Sequence, residues 1–349
     1  MWPVSSAAAA EIATIDYHTA GEPFRIVVGG APELPGDSVR DRRERARVSE
    51  SVDAVRRLLC HEPRGHADMY GCFLVPPDAP GAELGALFWH KDGFSSACGH
   101  GTIALGAWAV ESGRVDAAPD GDTELAIDVP SGRVAARVRC EGGRVAGVTF
   151  RNVPAYVLAR ALPLELELGA GSKRASVAVD MAYGGAIYAS LPAAALGLRV
   201  AAERLPELIA AGRAVKAALD GTDAARHPVD ERLAGVYGTI LYEELEGHGR
   251  LRQRNVTVFA DGQVDRSPCG SGSSARAALL HADGRLAAGE MLVHEAIVET
   301  EFEVRVVAES VEEGRPAVVT DVSGTAYRTG EHRFVLDPRD PLGTGFVLR

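Results

Sequence analysis

The amino-acid sequence predicts a strand-rich α+β protein built from two similar halves, and three observations support this prediction. Short β-branched runs separated by turns recur along the chain, which carries 39 glycines in 349 residues and so has many positions suited to tight turns. Only a few stretches show the spacing of apolar residues that is typical of a helix. One nine-residue motif occurs twice, about half a chain length apart.

In the first half of the sequence, strands are predicted to alternate with two helices. Apolar residues at helical spacing predict an amphipathic helix over Val48–Cys60, and an Ala-rich stretch that ends at Gly113 predicts a helix over Gly101–Ser112. Turns at Ala20–Glu22 and Pro76–Gly81 separate neighbouring strands. The strands predicted here are Ile12–Tyr17, Pro23–Val28, Met69–Val75, Glu83–Trp89, Glu124–Val129, Arg133–Cys140 and Arg144–Arg151.

In the second half the same pattern restarts around residues 154–173. A helix is predicted over Ala202–Ala218, and a second, buried helix over Ser273–Ala282 is stopped by Asp283-Gly284. Residues Ala224–Glu231 are a predicted polar loop. The strands predicted here are Ala175–Val179, Val236–Glu244, Arg254–Phe259, Val298–Ala308, Pro316–Val322 and Arg333–Leu336.

Length, charge and cysteine content narrow the class of protein. A chain of 349 residues indicates roughly two domains. The net charge of −11 disfavours a large nucleic-acid-binding face. Because no stretch of ~20 mostly apolar residues occurs, we expect no membrane-spanning helix, and the N-terminus lacks the basic and apolar regions of a signal peptide. Five cysteines without a C-x-x-C pair favour free thiols in a reducing cytoplasm.

The repeated motif is the most informative feature of the sequence. Residues Ser96–Ala104 and Ser267–Ala275 both have the form S-x-C-G-x-G-x-x-A. Their cysteines, Cys98 and Cys269, are 171 residues apart. Each motif follows a strand-like stretch and opens an apolar, Ala-rich helix. The pattern therefore predicts two similar halves, each of which presents a thiol at the N-terminus of a helix.

Such a pair of helix N-termini suits one kind of chemistry. A helix N-terminus favours thiolate over thiol and binds carboxylates through free backbone N–H groups. The glycines beside His100 and Ser271 let the backbone approach a ligand closely. Two such termini that face each other would hold a carboxylate and place a sulfur on each side of its α-carbon. This arrangement can remove a proton from one face and return one to the other, and it needs no cofactor.

Other interpretations of these residues are weaker. Cys60, Cys72 and Cys140 lie in apolar or alternating runs and are interpreted as core residues. The motif supplies too few ligands for zinc, and it matches neither a dinucleotide nor a phosphate loop. No lysine lies in a context that suggests a pyridoxal Schiff base. We therefore predict neither a metal nor a cofactor.

Three further segments carry charge near the expected site. Asp265 precedes Cys269 by four residues, and it is either a turn-capping residue or a carboxylate that accepts an N–H from a substrate ammonium or imino group. The segment Glu62–Gly71, with His66 and Asp68, is either a buried ion-pair network or a pocket wall. The same two interpretations hold for His18 beside the Ala20–Glu22 turn.

Taken together, these motifs resemble the proline racemase family, which includes hydroxyproline 2-epimerases and trans-3-hydroxyproline dehydratases. The resemblance covers nearly the whole chain. It rests on the segments Asp16–Pro23, Glu62–Gly71, Ser96–Gly101, Asn255–Gly272, Ser323–Ala326 and Asp337-Pro338.

The resemblance implies a diaminopimelate-epimerase-like α+β fold of two pseudo-symmetric lobes, each a curved β-sheet wrapped around a central helix, with the active site in the cleft between them. The first lobe would span residues 8–155, with 325–349 returning to it, and the second would span 156–324. The implied site residues are the acid/base pair Cys98 and Cys269, backbone contacts to the substrate carboxylate at Gly99, His100, Gly270 and Ser271, and a contact from Asp265 to the ring nitrogen.

The presence of both thiols favours racemisation or epimerisation of proline or 4-hydroxyproline, because in the resembling dehydratases one thiol is typically replaced. The alternative is a trans-3-hydroxy-L-proline dehydratase, which the segment Glu62–Gly71 and Trp89-His90 resemble more closely. A third interpretation is a non-catalytic binding protein for cyclic imino acids. The expected partner is a small-molecule substrate, and a homodimer is the default expectation for assembly.

Overall fold

The computed structural model describes residues 11–168, 173–247 and 249–348. Residues 1–10, to which the signal-peptide argument applies and which include the first three residues of the predicted first lobe, lie outside the described residues, as does Arg349. The α-helices are α1 (Val39–Val48), α2 (Glu50–Cys60), α3 (Gly99–Glu111), α4 (Leu205–Leu219) and α5 (Gly270–Ala282).

Strands make up most of the regular structure. In chain order they are β1 (Ile12–Thr19), β2 (Glu22–Gly29), β3 (Tyr70–Val75), β4 (Leu84–His90), β5 (Gly93–Phe94), β6 (Gly121–Val129), β7 (Gly132–Glu141), β8 (Arg144–Arg151), β9 (Ala155–Leu168), β10 (Lys173–Tyr183), β11 (Ile187–Pro192), β12 (Val236–Glu244), β13 (Leu251–Phe259), β14 (Gln263–Asp265), β15 (Met291–Ala296), β16 (Glu301–Glu312), β17 (Arg315–Gly324) and β18 (Ala326–Phe334). The predicted α+β class is therefore confirmed.

The chain divides into two compact units. The first comprises the described residues up to Ala97, then Gly101–Gly147 and the residues from Thr325 onward, and the second comprises Cys98–His100 and Val148–Gly324. The C-terminal strand β18 thus belongs to the first unit. The lobe boundaries predicted from the sequence stay a prediction about folding domains, since compactness alone does not test independent folding.

In the first unit, the strands pair in the order β18–β1–β2–β3–β4–β6–β7. The β2–β3 and β4–β6 pairs are parallel, and the others are antiparallel. The hairpin β1–β2 turns at Ala20 and Gly21, both of which have positive φ, where the sequence predicts a turn. Helices α1 and α2 share a core of buried aliphatic and aromatic side chains with β3 and β4.

In the second unit, the strands close into a ring around a buried helix. The pairs follow the order β9–β10–β11–β12–β13–β15–β16–β17, and β17 pairs with β9 again. Helix α5 packs against β9, β10, β11, β16 and β17. Its residues from Gly270 to Leu280 are all buried. An Ala-rich helix suits this position because small side chains let the surrounding strands approach it closely.

Several elements differ from those predicted. Strand β9 was not predicted because Ala161, with φ +47°, and Pro163 interrupt the alternation. The structure absorbs this irregularity as a bulge in which the Ala161 N–H donates to Asp180 Oδ1 (2.9 Å). Strands β11 and β15 were also not predicted. The strand predicted over residues 333–336 is wrong in position, because β18 ends at Phe334.

Helix α1 was also not predicted, because its sequence is rich in charge and has no clear apolar face. Its arginines instead reach backbone carbonyls of the first unit. Arg40 Nε donates to Pro130 O (2.7 Å), and Arg43 Nε donates to Phe94 O (3.1 Å). These bonds fix the strand β5 and the loop after β6, and the Ser131 N–H in that loop donates to Ser96 O (3.0 Å).

A buried ion pair between Asp16 and Arg25 links the first two strands to the Glu62–Gly71 segment. Arg25 donates to both carboxylate oxygens of Asp16 at 2.8–3.1 Å, and both side chains are buried. Arg25 Nη1 also donates to Leu59 O and Arg64 O, at 2.5 and 3.0 Å. One guanidinium therefore connects β1 and β2 to the end of α2 and to the Glu62–Gly71 segment.

We expect Asp16→Asn to destabilise the protein by about 3–5 kcal/mol, because it leaves the Arg25 charge buried without its counter-ion. The matched control is Asp337→Asn, which breaks an exposed ion pair with Arg339 (2.6 Å) and should leave the free energy of unfolding almost unchanged, because solvent screens such pairs. Urea unfolding of both variants measures the difference, and equal losses would contradict this account of the buried pair.

Candidate active site

The two helices predicted from the repeated motif begin directly after the motif cysteines. Helix α5 starts at Gly270 with Cys269 as its N-cap residue, and α3 starts at Gly99, directly after Cys98. Both cysteines are buried. The helices were predicted to begin at residues 101 and 273, so the Cys-Gly pair lies nearer the helix than expected. The N–H groups of each first turn consequently belong to the motif itself.

The second unit brings the two motifs together at their glycines. A Cβ atom added to Gly99 would lie 2.6 Å from the Cα of Gly270, and one added to Gly270 would lie 2.7 Å from the Cα of Gly99. No residue with a side chain fits at either position without moving the backbone of the other. The N-terminal residues of both helices therefore converge on one place.

The His100 ring lies between the Cys98 sulfur and the Asp265 carboxylate. His100 Nε2 is 3.4 Å and Nδ1 is 3.6 Å from Cys98 Sγ, and Nδ1 is 3.8 Å from Asp265 Oδ2. All three side chains are buried. The imidazole therefore has a sulfur on one side and a carboxylate on the other, both within reach of its ring nitrogens.

Asp265 also shapes the turn that leads into Cys269. The Ser267 N–H and Oγ–H both donate to Asp265 Oδ1, at 2.8 and 2.7 Å. The Cys269 N–H in turn donates to Ser267 Oγ (3.1 Å). One carboxylate oxygen therefore caps the turn, and the other faces His100. The structure thus shows the turn-capping role considered for Asp265.

The Cys269 thiol is enclosed by groups from several strands. Burial, together with the nearby Asp265 carboxylate, raises its pKa well above the ordinary thiol value. Opposing this, hydrogen bonds from Tyr188, the Gly272 N–H and Thr257 lower the pKa. A Cβ atom on Gly272 would lie 2.8 Å from the sulfur, so only glycine leaves room for the thiol there.

A buried network of polar side chains holds the peptide between Pro268 and Cys269 in place. Asn255 Nδ2 donates to Pro268 O (3.1 Å) and to His294 Nε2 (2.9 Å). His294 Nδ1 then donates to Ser273 Oγ (2.7 Å), and the Ser273 hydroxyl donates to Pro268 O (3.2 Å). The Pro268 carbonyl, immediately before the candidate catalytic Cys269, therefore accepts hydrogen bonds from both Asn255 and Ser273.

Five residues around Cys269 were not predicted as site residues from the sequence: Tyr188, Asn255, Thr257, Ser273 and His294. One signal was available, since Asn255 and Thr257 alternate with the apolar residues Val256 and Val258 in β13. Such spacing places both side chains on the same, buried face of β13, where polar groups need partners.

The remaining cysteines have structural environments. Cys60, Cys72 and Cys140 are buried, and all five cysteines of the chain are free thiols. Burial raises the pKa of Cys60 to about 12 and raises that of Cys72 further. These thiols therefore stay protonated at neutral pH, as expected of core residues.

The charged segments of the first unit hold local structure. The His18 Nδ1 atom accepts the Gly21 N–H (3.2 Å), and His66 Nδ1 accepts the Asp68 N–H (3.2 Å). Arg64 Nη2 donates to Asp340 Oδ2 (3.2 Å). These contacts agree with the ion-pair interpretation of Glu62–Gly71.

Among the described residues, no helix has the length and apolar character needed to cross a membrane.

Comparison with known proteins agrees with this fold. A family model described as proline racemase matches residues 14–347, and the chain belongs to this family of enzymes. The trans-3-hydroxy-L-proline dehydratase of Bacillus thuringiensis subsp. konkukian is 42% identical over 335 residues, which cover 96% of this chain and 97% of the relative. The 3-hydroxyproline 2-epimerase of Burkholderia multivorans is 42% identical over 338 residues, which cover 97% and 98%.

A solved structure shares the whole fold. The crystal structure of a hydroxyproline epimerase from Agrobacterium vitis, with bound trans-4-hydroxy-L-proline, superposes with a TM-score of 0.88 at 29% identity and covers 97% of this chain and 95% of that one. The diaminopimelate-epimerase-like fold class predicted from the resemblance is confirmed. The named relatives include epimerases and dehydratases alike.

The buried His294 should make stability depend on pH. Burial and nearby Arg276 lower its pKa from 6.5 to about 3. Below pH 6.5 the unfolded chain binds a proton that the folded protein excludes, so acid favours unfolding. We expect this ring to remove roughly 1.4 kcal/mol of stability for each pH unit between 6.5 and 3.

Urea unfolding at pH 7 and pH 4.5 tests this expectation. His294→Gln, which does not titrate, should lose less stability over that interval than the wild type by about 2–3 kcal/mol. The control is His281→Gln, which removes a partly exposed imidazole and so separates the effect of burial from the loss of a histidine. An unchanged pH dependence in His294→Gln would contradict the assignment.

Proposed function

We propose that this chain is a cofactor-independent racemase or epimerase that inverts the α-carbon of proline or a hydroxyproline, with Cys98 and Cys269 as the acid/base pair. The observation that carries the proposal is the contact between Gly99 and Gly270, each directly preceded by a buried cysteine. Two thiols that flank one anion-binding point are what inversion by two bases requires.

The substrate carboxylate would bind at the convergent helix N-termini. Backbone N–H groups at Gly99, His100, Gly270 and Ser271 are the proposed donors, and the positive ends of both helix dipoles favour an anion there. When the α-proton leaves, negative charge spreads from the α-carbon onto the carboxylate. The same donors therefore stabilise the transition state more than the ground state.

The ring nitrogen of the substrate would face Asp265. One oxygen of that carboxylate is occupied by Ser267, while the other faces His100 at 3.8 Å. A protonated imino group needs an acceptor of this kind. Its positive charge also acidifies the α-proton, so Asp265 must bind the nitrogen without removing that charge.

The two thiols have different surroundings, which suggests how protons are distributed before substrate binds. Cys98 lies beside the His100 ring, whereas burial and Asp265 raise the pKa of Cys269 and favour its thiol. We propose that Cys98 is the thiolate of the pair before substrate binds. One base and one acid are thus ready together. The two groups titrate as a coupled pair, and they exchange roles when a substrate of the opposite handedness binds. Both must stay reduced, which fits a reducing compartment such as the cytoplasm.

The second candidate function is dehydration of trans-3-hydroxy-L-proline, and it is favoured by relatives with that activity in their names. One thiolate would take the α-proton, and the thiol so formed would protonate the 3-hydroxyl, which lies on the same face of the ring and departs as water. The resulting enamine tautomerises to a cyclic imine. Elimination requires no base on the opposite face, so the matched pair of thiols favours inversion.

Proton NMR in D₂O with L-proline, trans-4-hydroxy-L-proline and trans-3-hydroxy-L-proline tests the proposal. We expect loss of the α-proton signal together with growth of the other stereoisomer. Disappearance of the 3-hydroxy compound into a pyrroline signal would establish the dehydratase instead. Unaltered compounds after long incubation, with measurable binding, would leave a binding protein.

We expect Cys98→Ser and Cys269→Ser each to lower the inversion rate at least about 10²–10⁴-fold, because each removes one acid/base group. The control is Cys140→Ser, which alters a buried thiol in β7 and should keep wild-type turnover. If Cys269→Ser still inverts at the wild-type rate, the two-base mechanism is wrong.

Pyrrole-2-carboxylate should protect the two motif cysteines from alkylation, since it is a flat mimic of the carbanion with a carboxylate for the helix N-termini. Iodoacetamide labelling, read as peptide masses at Cys98 and Cys269 with and without the mimic, measures this. Equal labelling in the presence of saturating mimic would argue against a site that contains both thiols.

A further inference from the structure

The phenolic hydroxyl of Tyr188 lies between the Cys269 thiol and the Ser271 hydroxyl. Its Oη atom is 3.7 Å from Cys269 Sγ and 2.7 Å from Ser271 Oγ. All three side chains are buried, and Tyr188 is fully enclosed. The three groups therefore form a short hydrogen-bonded chain.

We propose that Tyr188 is a positioning residue for Cys269, whose sulfur it orients and supports as thiol and as thiolate, with Ser271 as the next link of the chain. The need for both states rests on the proposed function, in which Cys269 is acid in one direction and base in the other. The contacts themselves do not depend on it.

The chain can serve both states because hydroxyl groups donate and accept. With a thiol, the Cys269 S–H donates to Tyr188 Oη and the tyrosine hydroxyl donates to Ser271 Oγ. With a thiolate, both bonds reverse: the Ser271 hydroxyl donates to Tyr188 Oη, and the tyrosine hydroxyl donates to the sulfur. Only hydroxyl rotations separate the two arrangements, so no heavy atom has to move when the proton is transferred.

A charged sulfur needs such a donor because burial otherwise disfavours it. The surroundings of Cys269 raise its pKa, and the hydrogen bond from Tyr188 is one of the contacts that oppose the rise. Hydrogen bonds to ionised groups are stronger than those between neutral groups. Tyr188 therefore contributes more to the thiolate than to the thiol.

Packing holds the tyrosine in this place. A Cβ atom on Gly184 would lie 2.4 Å from Ser271 O, so the turn between β10 and β11 rests directly on the first turn of α5. Strand β11 then carries Tyr188 along the helix. The Tyr237 ring meets the Tyr188 ring edge to face at 5.7 Å and 79°, which limits rotation of the phenol.

The test compares Tyr188→Phe with Tyr156→Phe. Tyr156 is the matched control because its buried hydroxyl contacts His227 Nε2 (3.1 Å), which has no part in the proposed site. Iodoacetamide labelling of Cys269, followed by peptide mass across pH 6–10, reports its thiolate. We expect Tyr188→Phe to shift the labelling curve to higher pH by about one unit, which lowers the neutral-pH rate about tenfold, and Tyr156→Phe to match the wild type.

Identical labelling curves for Tyr188→Phe, Tyr156→Phe and the wild type would overturn the proposal. Ser271→Ala tests the same series of hydrogen bonds from its other end and should shift the labelling curve to higher pH by a smaller amount. This variant tests the proposal if Tyr188→Phe fails to fold. Labelling requires no turnover. If the wild type turns over none of the three proline substrates while Tyr188→Phe still shows the shift, the positioning role stands and the proposed function falls.

Discussion

The contact between the backbones of Gly99 and Gly270 is the constraint on which the rest of the candidate site depends. A side chain at either position would push the helix N-termini apart and separate the donors that are to share one carboxylate. Each cysteine is adjacent in sequence to one of these glycines, so the contact also fixes both sulfurs relative to the proposed position of the carboxylate. The polar groups behind Cys269 then hold the turn in the one shape that keeps this contact.

The candidate site is built mostly from uncharged hydrogen-bond donors. Charged side chains instead stabilise the structure of the first unit. Arg25, Arg40 and Arg43 bind backbone carbonyls or a buried carboxylate in the first unit. Near Cys269, backbone N–H groups, hydroxyls and a neutral histidine dominate. Such groups are suited to a proton-transfer site because they are already oriented and need no reorganisation when charge moves.

Much of this could be predicted from the sequence, and the reason is local. The Cys-Gly motif, the helix that follows it and the repeat at half-chain spacing depend on neighbouring residues, so Cys98, Cys269 and the glycines were identified. Tyr188, Asn255 and His294 were not, because each reaches Cys269 or its turn from a different strand. Their roles depend on which strands pair in the second unit, and periodicity does not encode that order. Strand β9 was missed for a different reason, since Ala161 and Pro163 conceal its alternation.

The backbone of Cys269 has φ +66°, a conformation that side-chain-bearing residues adopt at a cost of about 1–3 kcal/mol. Glycine or asparagine would occupy this position with less strain. Folding and the proposed chemistry thus make opposite demands on a single residue. A population of variants sorted for thermal resistance alone would be expected to lose the thiol here first, whereas one sorted for turnover would keep it and gather its stabilising changes elsewhere in the chain.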